Sequence, residues 1–172
     1  MAPMDEGTCE EASLADDAFG RWYAESFAEV VGAVELTLGD PHLAADATAE
    51  AYARALERWS RVVDMANRDG WVYRVAVNDA RNTIRRRLLE RAWRDRQPPR
   101  AHVPELEPPD VELRTAIAQL SRRQREAIGL RYVAGMLERE VAEAMGITLG
   151  AASATLAAAR RRLHETLGGG SW

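Results

Sequence analysis

The sequence predicts an all-α chain of two small helical domains joined by a proline-rich linker, and three observations carry that prediction. Apolar residues recur at steps of three and four, and no alternating strand pattern of any length interrupts them. Five of the seven prolines (Pro98, Pro99, Pro104, Pro108 and Pro109) fall in QPPRAHVPELEPPD, where fixed φ and missing backbone donors prevent a helix from continuing. The 172 residues suit one ordinary domain or two small ones, and 47% hydrophobic with 29% charged residues is a globular balance. The chain therefore divides into an acidic flexible N-terminus (1–13), a first helical domain (14–96), the linker (97–109), a second helical domain (110–168) and a flexible tail (169–172).

Each element has its own signal. Phe19, Trp22, Tyr23, Phe27, Val30, Val34 and Leu38 form one apolar stripe on a helix expected to start near Ser13 and stop at Gly39. Asp40 followed by Pro41 reads as an N-cap with proline at the first helical position. The second helix is expected to turn Leu43, Ala47, Ala51, Ala55, Leu56 and Trp59 inward. A third, over about 71–96, carries Val72, Val75, Ala76, Ala80 and Ile84 and completes a three-helix bundle. After the linker, 111–120 gives a short helix, and Ser121 with Gln124 is a capping-box pattern opening another that ends near Gly135. A helix over 137–145, a tight turn at Gly146 and a helix capped by Thr148 follow, the last with Leu149, Ala152, Leu156, Leu163 and Leu167 on one face. Helix, glycine turn, helix at this size is the helix-turn-helix arrangement.

Charge is distributed unevenly beneath the net value of -4: residues 1–50 hold 12 acids and one base, 51–100 hold 6 acids and 13 bases, and 101–172 hold 9 of each. The middle third is thus a basic stripe on an acidic protein, and local stripes decide whether a phosphate backbone can be held. All 23 bases are arginine. Catalytic signals are lacking: His42, His102 and His164 are scattered, and there is no HExxH, GxSxG or glycine-rich phosphate loop. Neither enzyme activity nor a cofactor or metal is expected. A single cysteine, Cys9, excludes an intrachain disulfide. The acidic start and the want of a long apolar run predict no signal peptide, no membrane insertion and a cytoplasmic location.

Two segments of the first half carry a pattern. Asp46, Ala49, Glu50 and Tyr52 stand where D-x-x-Q-E-x-F would, with Ala49 at the glutamine. Residues 71–86, WVYRVAVNDARNTIRR, follow W-L-Y-R-I-A-x-N-x-x-x-D-x-x-R-R with Asn82 at the aspartate. In the second half Leu120, Ser121, Arg125, Leu130, Arg131, Tyr132 and Gly135 match L-P-x-x-x-R-x-x-x-x-L-R-Y-x-x-G. Over about 14–168 the chain resembles a bacterial RNA polymerase sigma factor of the sigma-70 family, extracytoplasmic-function group, with its domains in the order of sigma region 2 and sigma region 4.

The resemblance implies a set of roles. Asp46, Glu50, Tyr52 and Arg54 would meet core RNA polymerase at the β′ clamp helices, with the β flap as a second contact. Arg74, Asn78, Arg81, Asn82, Arg85, Arg86 and Arg87 would hold the -10 promoter DNA, guanidinium groups serving the phosphates. Arg58, Trp59 and Arg61, at the entrance of SRVVDMANRDG, and Trp71 and Tyr73 would serve the extruded base, since single strands need flat apolar surfaces to stack on. Core packing is the competing role for these aromatics, as an ordinary surface face is for the charges. Arg131, Thr148, Ser153, Thr155, Arg160, Arg161 and Arg162 would face a -35 element. Promoter DNA and an anti-sigma factor are the implied partners besides polymerase.

The recognition helix departs from the family's S-x-G-T-V-K-S-R-L-x-R-A-R. Ser153 replaces lysine, and Thr155 and Ala158 replace arginines, so these positions cannot make bidentate hydrogen bonds to guanine. Leu137 also takes the serine position ahead of the preceding helix. Three functions remain open, in this order: a working sigma factor, a sigma-like module that binds an anti-sigma factor or polymerase without reading a -35 element, and a structural bundle with neither role.

Overall fold

The structure, a computed structural model, describes residues 6–94 and 111–167, with side-chain environments for 17–89 and 112–167. The proline-rich linker and the tail lie outside the described residues. Among the described residues every regular element is helical: α1 (Glu6–Leu38), α2 (Pro41–Glu57), α3 (Trp59–Val62), α4 (Arg68–Arg94), α5 (Val111–Ala118), α6 (Arg122–Ile128), a π-helical turn (Gly129–Val133), α7 (Glu138–Met145) and α8 (Leu149–Thr166).

Local chemistry sets most boundaries where they were expected. Gly39 adopts a φ of 73° and ends α1, and the Asp40 carboxylate accepts from Leu43 N at 2.9 Å to start α2. Ser121 and Gln124 complete both halves of a capping box, at 3.3 and 2.9 Å. Leu137 has no oxygen to offer, so α7 keeps only the return half, the Glu140 carboxylate accepting from Leu137 N at 2.8 Å. Gly146, at φ 65°, makes the turn into α8, which Thr148 caps by accepting from Ala151 N at 3.2 Å.

Four boundaries differ from expectation. Residues 6–13 form the start of the α1 helix where a flexible terminus was expected. A separate turn, α3, breaks away after Arg58, giving the first bundle four helices. α4 begins at Arg68 rather than Trp71, because the Asn67 side chain accepts from Gly70 N at 2.8 Å and organises the helix start. The helix from Ser121 does not run evenly to Gly135: at Gly129 it widens into the π turn, closed by Ala134 N donating to Gly129 O at 2.9 Å. Leu56 and Leu149, expected inside, are 45% and 53% exposed because they sit at the edge of their helices' buried stripes.

Aromatic rings dominate the first bundle. Trp22 stacks on Trp59 with centroids 5.4 Å apart, and Phe19 meets Trp59 edge-on at 5.3 Å. Trp22 Nε1 donates to the Asp69 carboxylate at 2.6 Å, tying α1 to the start of α4. Two buried phenols are satisfied by parallel relays. The Ser26 hydroxyl donates to Trp22 O at 2.8 Å, so its one proton is spent and Tyr52 donates to it at 2.7 Å. Thr37 likewise donates to Ala33 O at 3.0 Å and accepts from Tyr73 at 2.8 Å.

The two bundles pack together, and their buried side chains form one continuous cluster. α1 runs beneath both α6 and the π turn, while α4 packs against α7. The approach is close because glycine lies at the crossing. A Cβ on Gly129 would stand 3.2 Å from the backbone of Ala33, and one on Gly32 would stand 2.8 Å from Val133.

Tyr52→Phe is expected to cost about 1 kcal/mol, lowering Tm by roughly 2–4 °C, since it removes one hydrogen bond from a buried relay. Trp59→Ala removes the ring that Phe19 and Trp22 share and is expected to cost roughly 3–5 kcal/mol by thermal or urea unfolding. Burial raises the phenol pKa of both Tyr52 and Tyr73 above the ordinary 10.0. The neutral phenols therefore contribute stability that is complete below pH 10 and lost as pH rises beyond it. Spectrophotometric titration should find two of the four tyrosines withheld from hydroxide until the chain unfolds.

Candidate nucleic-acid interface

The site is built on α2 and α4, whose seam fixes which side chains face out. Asp46 is exposed on α2, and Glu50, four residues on, is 60% exposed. Arg54 lies 3.4 Å from Glu50 and pairs with Asp79 of α4. It therefore clamps α2 to α4 more than it offers itself to a partner. Tyr52 does not belong to this surface: it is 1% exposed, within 5.1 Å of Tyr23 and 5.0 Å of Trp22 between ring centroids, because its position follows Ala51 into the core.

Along α4, Arg74, Asn78, Asn82, Arg85, Arg86 and Arg87 are exposed, together with Arg58 and Arg61 from the preceding turn. These guanidinium groups form a face on which phosphates can be neutralised. Arg81 differs from them, since its guanidinium reaches the Glu126 carboxylate of α6 at 3.7 Å, with side-chain exposures of 33% and 11%. Two aromatics expected to stack bases are core residues instead. Tyr73 is 1% exposed, in register with Val77 and Ala80, and Trp59 is 8% exposed within the Phe19 and Trp22 cluster. Trp71 alone is half-buried, lining a cleft of about 240 Å³ with Asn67, Gly70, Arg74, Glu143 and Ala144.

Two residues in this cleft's neighbourhood were missed from sequence. Arg68 stands over the rings of Trp22 and Trp59 at 5.4 and 5.9 Å, a cation–π contact that closes the aromatic cluster from above. Asn67 folds over Gly70 so closely that a Cβ there would lie 2.5 Å from its amide, and its Nδ2 donates to Glu140 O at 3.1 Å. The asparagine three residues ahead of a glycine was the available signal for a helix start.

In the second bundle the polar side chains on the helix-turn-helix are largely spent internally. Ser153 donates to the Glu138 carboxylate at 2.5 Å, and Thr155 donates to Ala151 O at 2.7 Å. Thr148 is occupied as a cap, Arg131 donates to Met136 O at 3.2 Å, and Arg160 reaches the Tyr132 hydroxyl at 3.4 Å. Arg161 and Arg162 remain exposed at the far end of α8. The surface that would meet a groove thus carries a carboxylate, Glu138, and no cation between Thr148 and Ala159.

Comparison with known proteins agrees with this architecture. The family described as "Sigma-70, region 4" matches residues 110–163. The RNA polymerase sigma-E factor of Streptomyces coelicolor is 31% identical over 130 residues, 74% of this chain and 73% of that one. That of Streptomyces antibioticus is 32% identical over 131 residues, 74% and 72% of the two chains. Among solved structures, the sigma factor RpoE from Bartonella quintana, in complex with the anti-sigma factor NepR, superposes with a TM-score of 0.69 at 20% identity, covering 87% of this chain and 96% of that one. CnrH, in complex with the cytosolic domain of CnrY, gives 0.59 at 20% identity over 93% and 96%. Sequence kinship along three quarters of its length, and the helical pair of bundles, make this chain a member of the sigma-70 family of RNA polymerase sigma factors, in the extracytoplasmic-function group.

Proposed function

We propose that the chain binds core RNA polymerase, holds the -10 region of a promoter as it opens and directs initiation, leaving all chemistry to polymerase. The observation that carries this reading is the exposure, on two helices clamped by Arg54 and Asp79, of an acidic pair on α2 beside an arginine face on α4. An acidic helix surface suits the β′ clamp helices of polymerase, where opposite charge fixes register and speeds encounter. The second bundle would reach the β flap, and an anti-sigma factor is a further partner of this reading.

Asp46→Arg with Glu50→Arg should abolish co-purification with core enzyme while circular dichroism stays unchanged, since both side chains are exposed. Undiminished binding refutes the assignment of α2. Arg85, Arg86 and Arg87 replaced by alanine should weaken binding to a pre-melted promoter fork. The slope of log affinity against log salt should fall by about 0.7 to 0.9 for each phosphate that is no longer neutralised.

The Ser153–Glu138 bond favours a second reading of the helix-turn-helix alone, as a protein-docking element that does not read -35 DNA. Bases can be discriminated by hydroxyls and methyl groups, but flanking cations are needed to hold register. In the full chain, Ser153→Lys with Thr155→Arg should raise affinity for duplex DNA. A parent protein already selective for one duplex at nanomolar strength would overturn this second reading.

A further inference from the structure

One turn of α4 is open to solvent on every side. The residues from Ile84 to Leu89 are all exposed, a run longer than the about 3.6 residues of a full turn, so here the helix stands clear of the packed bundles. Ile84, Leu88 and Leu89 in this run are branched apolar side chains, exposed by 36%, 45% and 59%. Arg85, Arg86 and Arg87 make up the rest. The helix continues to Arg94, and the stretch 84–94 holds five arginines against one glutamate. Phosphate binding accounts for the arginines, but it gives the three aliphatic side chains nothing to bury against.

At the helical period Ile84, Leu88 and Leu89 share an arc of about 140°, with Arg85 falling between Leu88 and Leu89. That interleaving selects among the surfaces that could cover the face. A protein groove would bury Arg85 along with the leucines and leave its charge to be paired. A second copy of the same helix would set like charges against each other. At a phospholipid surface the leucines can settle below the headgroups while Arg85 bends its aliphatic stem toward the phosphate layer. No single described helix is long and apolar enough to cross a membrane, so such contact runs along the surface.

We propose that the free turn of α4 docks on an anionic phospholipid surface: Ile84, Leu88 and Leu89 settle at the boundary between headgroups and acyl chains, and Arg85, Arg86 and Arg87 bind the lipid phosphates. This goes beyond the function proposed above and does not depend on it. It carries a consequence for that function, because the same arginines are read there as serving promoter phosphates. A chain docked on lipid has them engaged and is withheld from DNA.

The test sediments the full-length protein with vesicles of phosphatidylcholine alone and with vesicles containing roughly 30% phosphatidylglycerol, at about 100 mM salt. Binding to the anionic vesicles should be at least ~10-fold tighter than to the neutral ones, and should weaken as salt rises. Leu88→Gln with Leu89→Gln keeps every arginine and introduces good helix formers at exposed positions. It should lower binding to anionic vesicles at least ~5-fold with circular dichroism unchanged. Should the double variant lose helix, Leu89→Gln alone, at the most exposed of the three positions, should still lower binding ~2-fold or more. Replacing Arg85, Arg86 and Arg87 by glutamine should lower it at least ~10-fold.

Absence of sedimentation with anionic vesicles overturns the proposal, and so does equal sedimentation with both kinds. Undiminished binding by the leucine variants shows adsorption by charge alone and overturns the docking of the apolar face. Undiminished binding by the arginine variant places the lipid contact elsewhere on the chain and overturns the assignment to α4. None of these outcomes draws on the promoter-fork measurement, so lipid docking and promoter binding stand or fall separately.

Discussion

The approach of the π turn to α1 is the contact on which the rest of this arrangement depends. Ala33 and Gly129 meet backbone to backbone, so any side chain at 129 would press on atoms that cannot swing aside. The widened ring at 129–133 belongs to the same contact. It brings Leu130 to full burial while Arg131 turns back to hydrogen-bond Met136 O. From this crossing, α6 delivers Glu126 to Arg81 of α4, and α7 delivers the Glu140 carbonyl to Asn67. Separating the bundles by one side chain's width would break both polar contacts at once.

The ion pairs divide into two kinds with different consequences. Arg54 and Asp79 join helices of one bundle, so the acidic surface of α2 and the arginine face of α4 move as a unit. Arg81 and Glu126 join the two bundles, and their pair adds little net stability because both groups give up water to form it. Removing only one partner leaves the other charge desolvated. The Tyr73 phenol is buried beside the same carboxylate. The ion pair consequently fixes position at the seam, while the shared apolar core of the two bundles supplies its strength.

How much was legible in the sequence follows from the range of each interaction. Caps act over three residues, and Asp40, Ser121, Thr148 and Gly146 were read correctly because the donor and acceptor sit in one short window. The arginine face of α4 was equally legible, being a run of like side chains on one helix. Tyr52 and Tyr73 were misassigned because the family pattern was followed in preference to the helix period. Tyr73 falls on the stripe of Val77 and Ala80, and Tyr52 follows Ala51 and precedes Ala55 on the buried side of α2. Their hydroxyl partners, Ser26 and Thr37, lie on another helix and carry no local signal. The pairing of Arg81 with Glu126 joins residues on opposite sides of the proline-rich segment, and no periodicity within either half can reveal it.

A helix-turn-helix with a carboxylate on its reading face is not thereby idle on the proposed reading. Once the first bundle is held on polymerase, the second is tethered near its own target, and an effective concentration in the millimolar range lets a weak contact count. The affinity that the missing cations would have supplied is then supplied by the chain connection. Discrimination falls to the methyl groups of alanines and to Thr155, and the Ser153 hydroxyl must first leave Glu138 to contribute. On that reading selectivity resides where exposed arginines and a shaped cleft coincide, along α4.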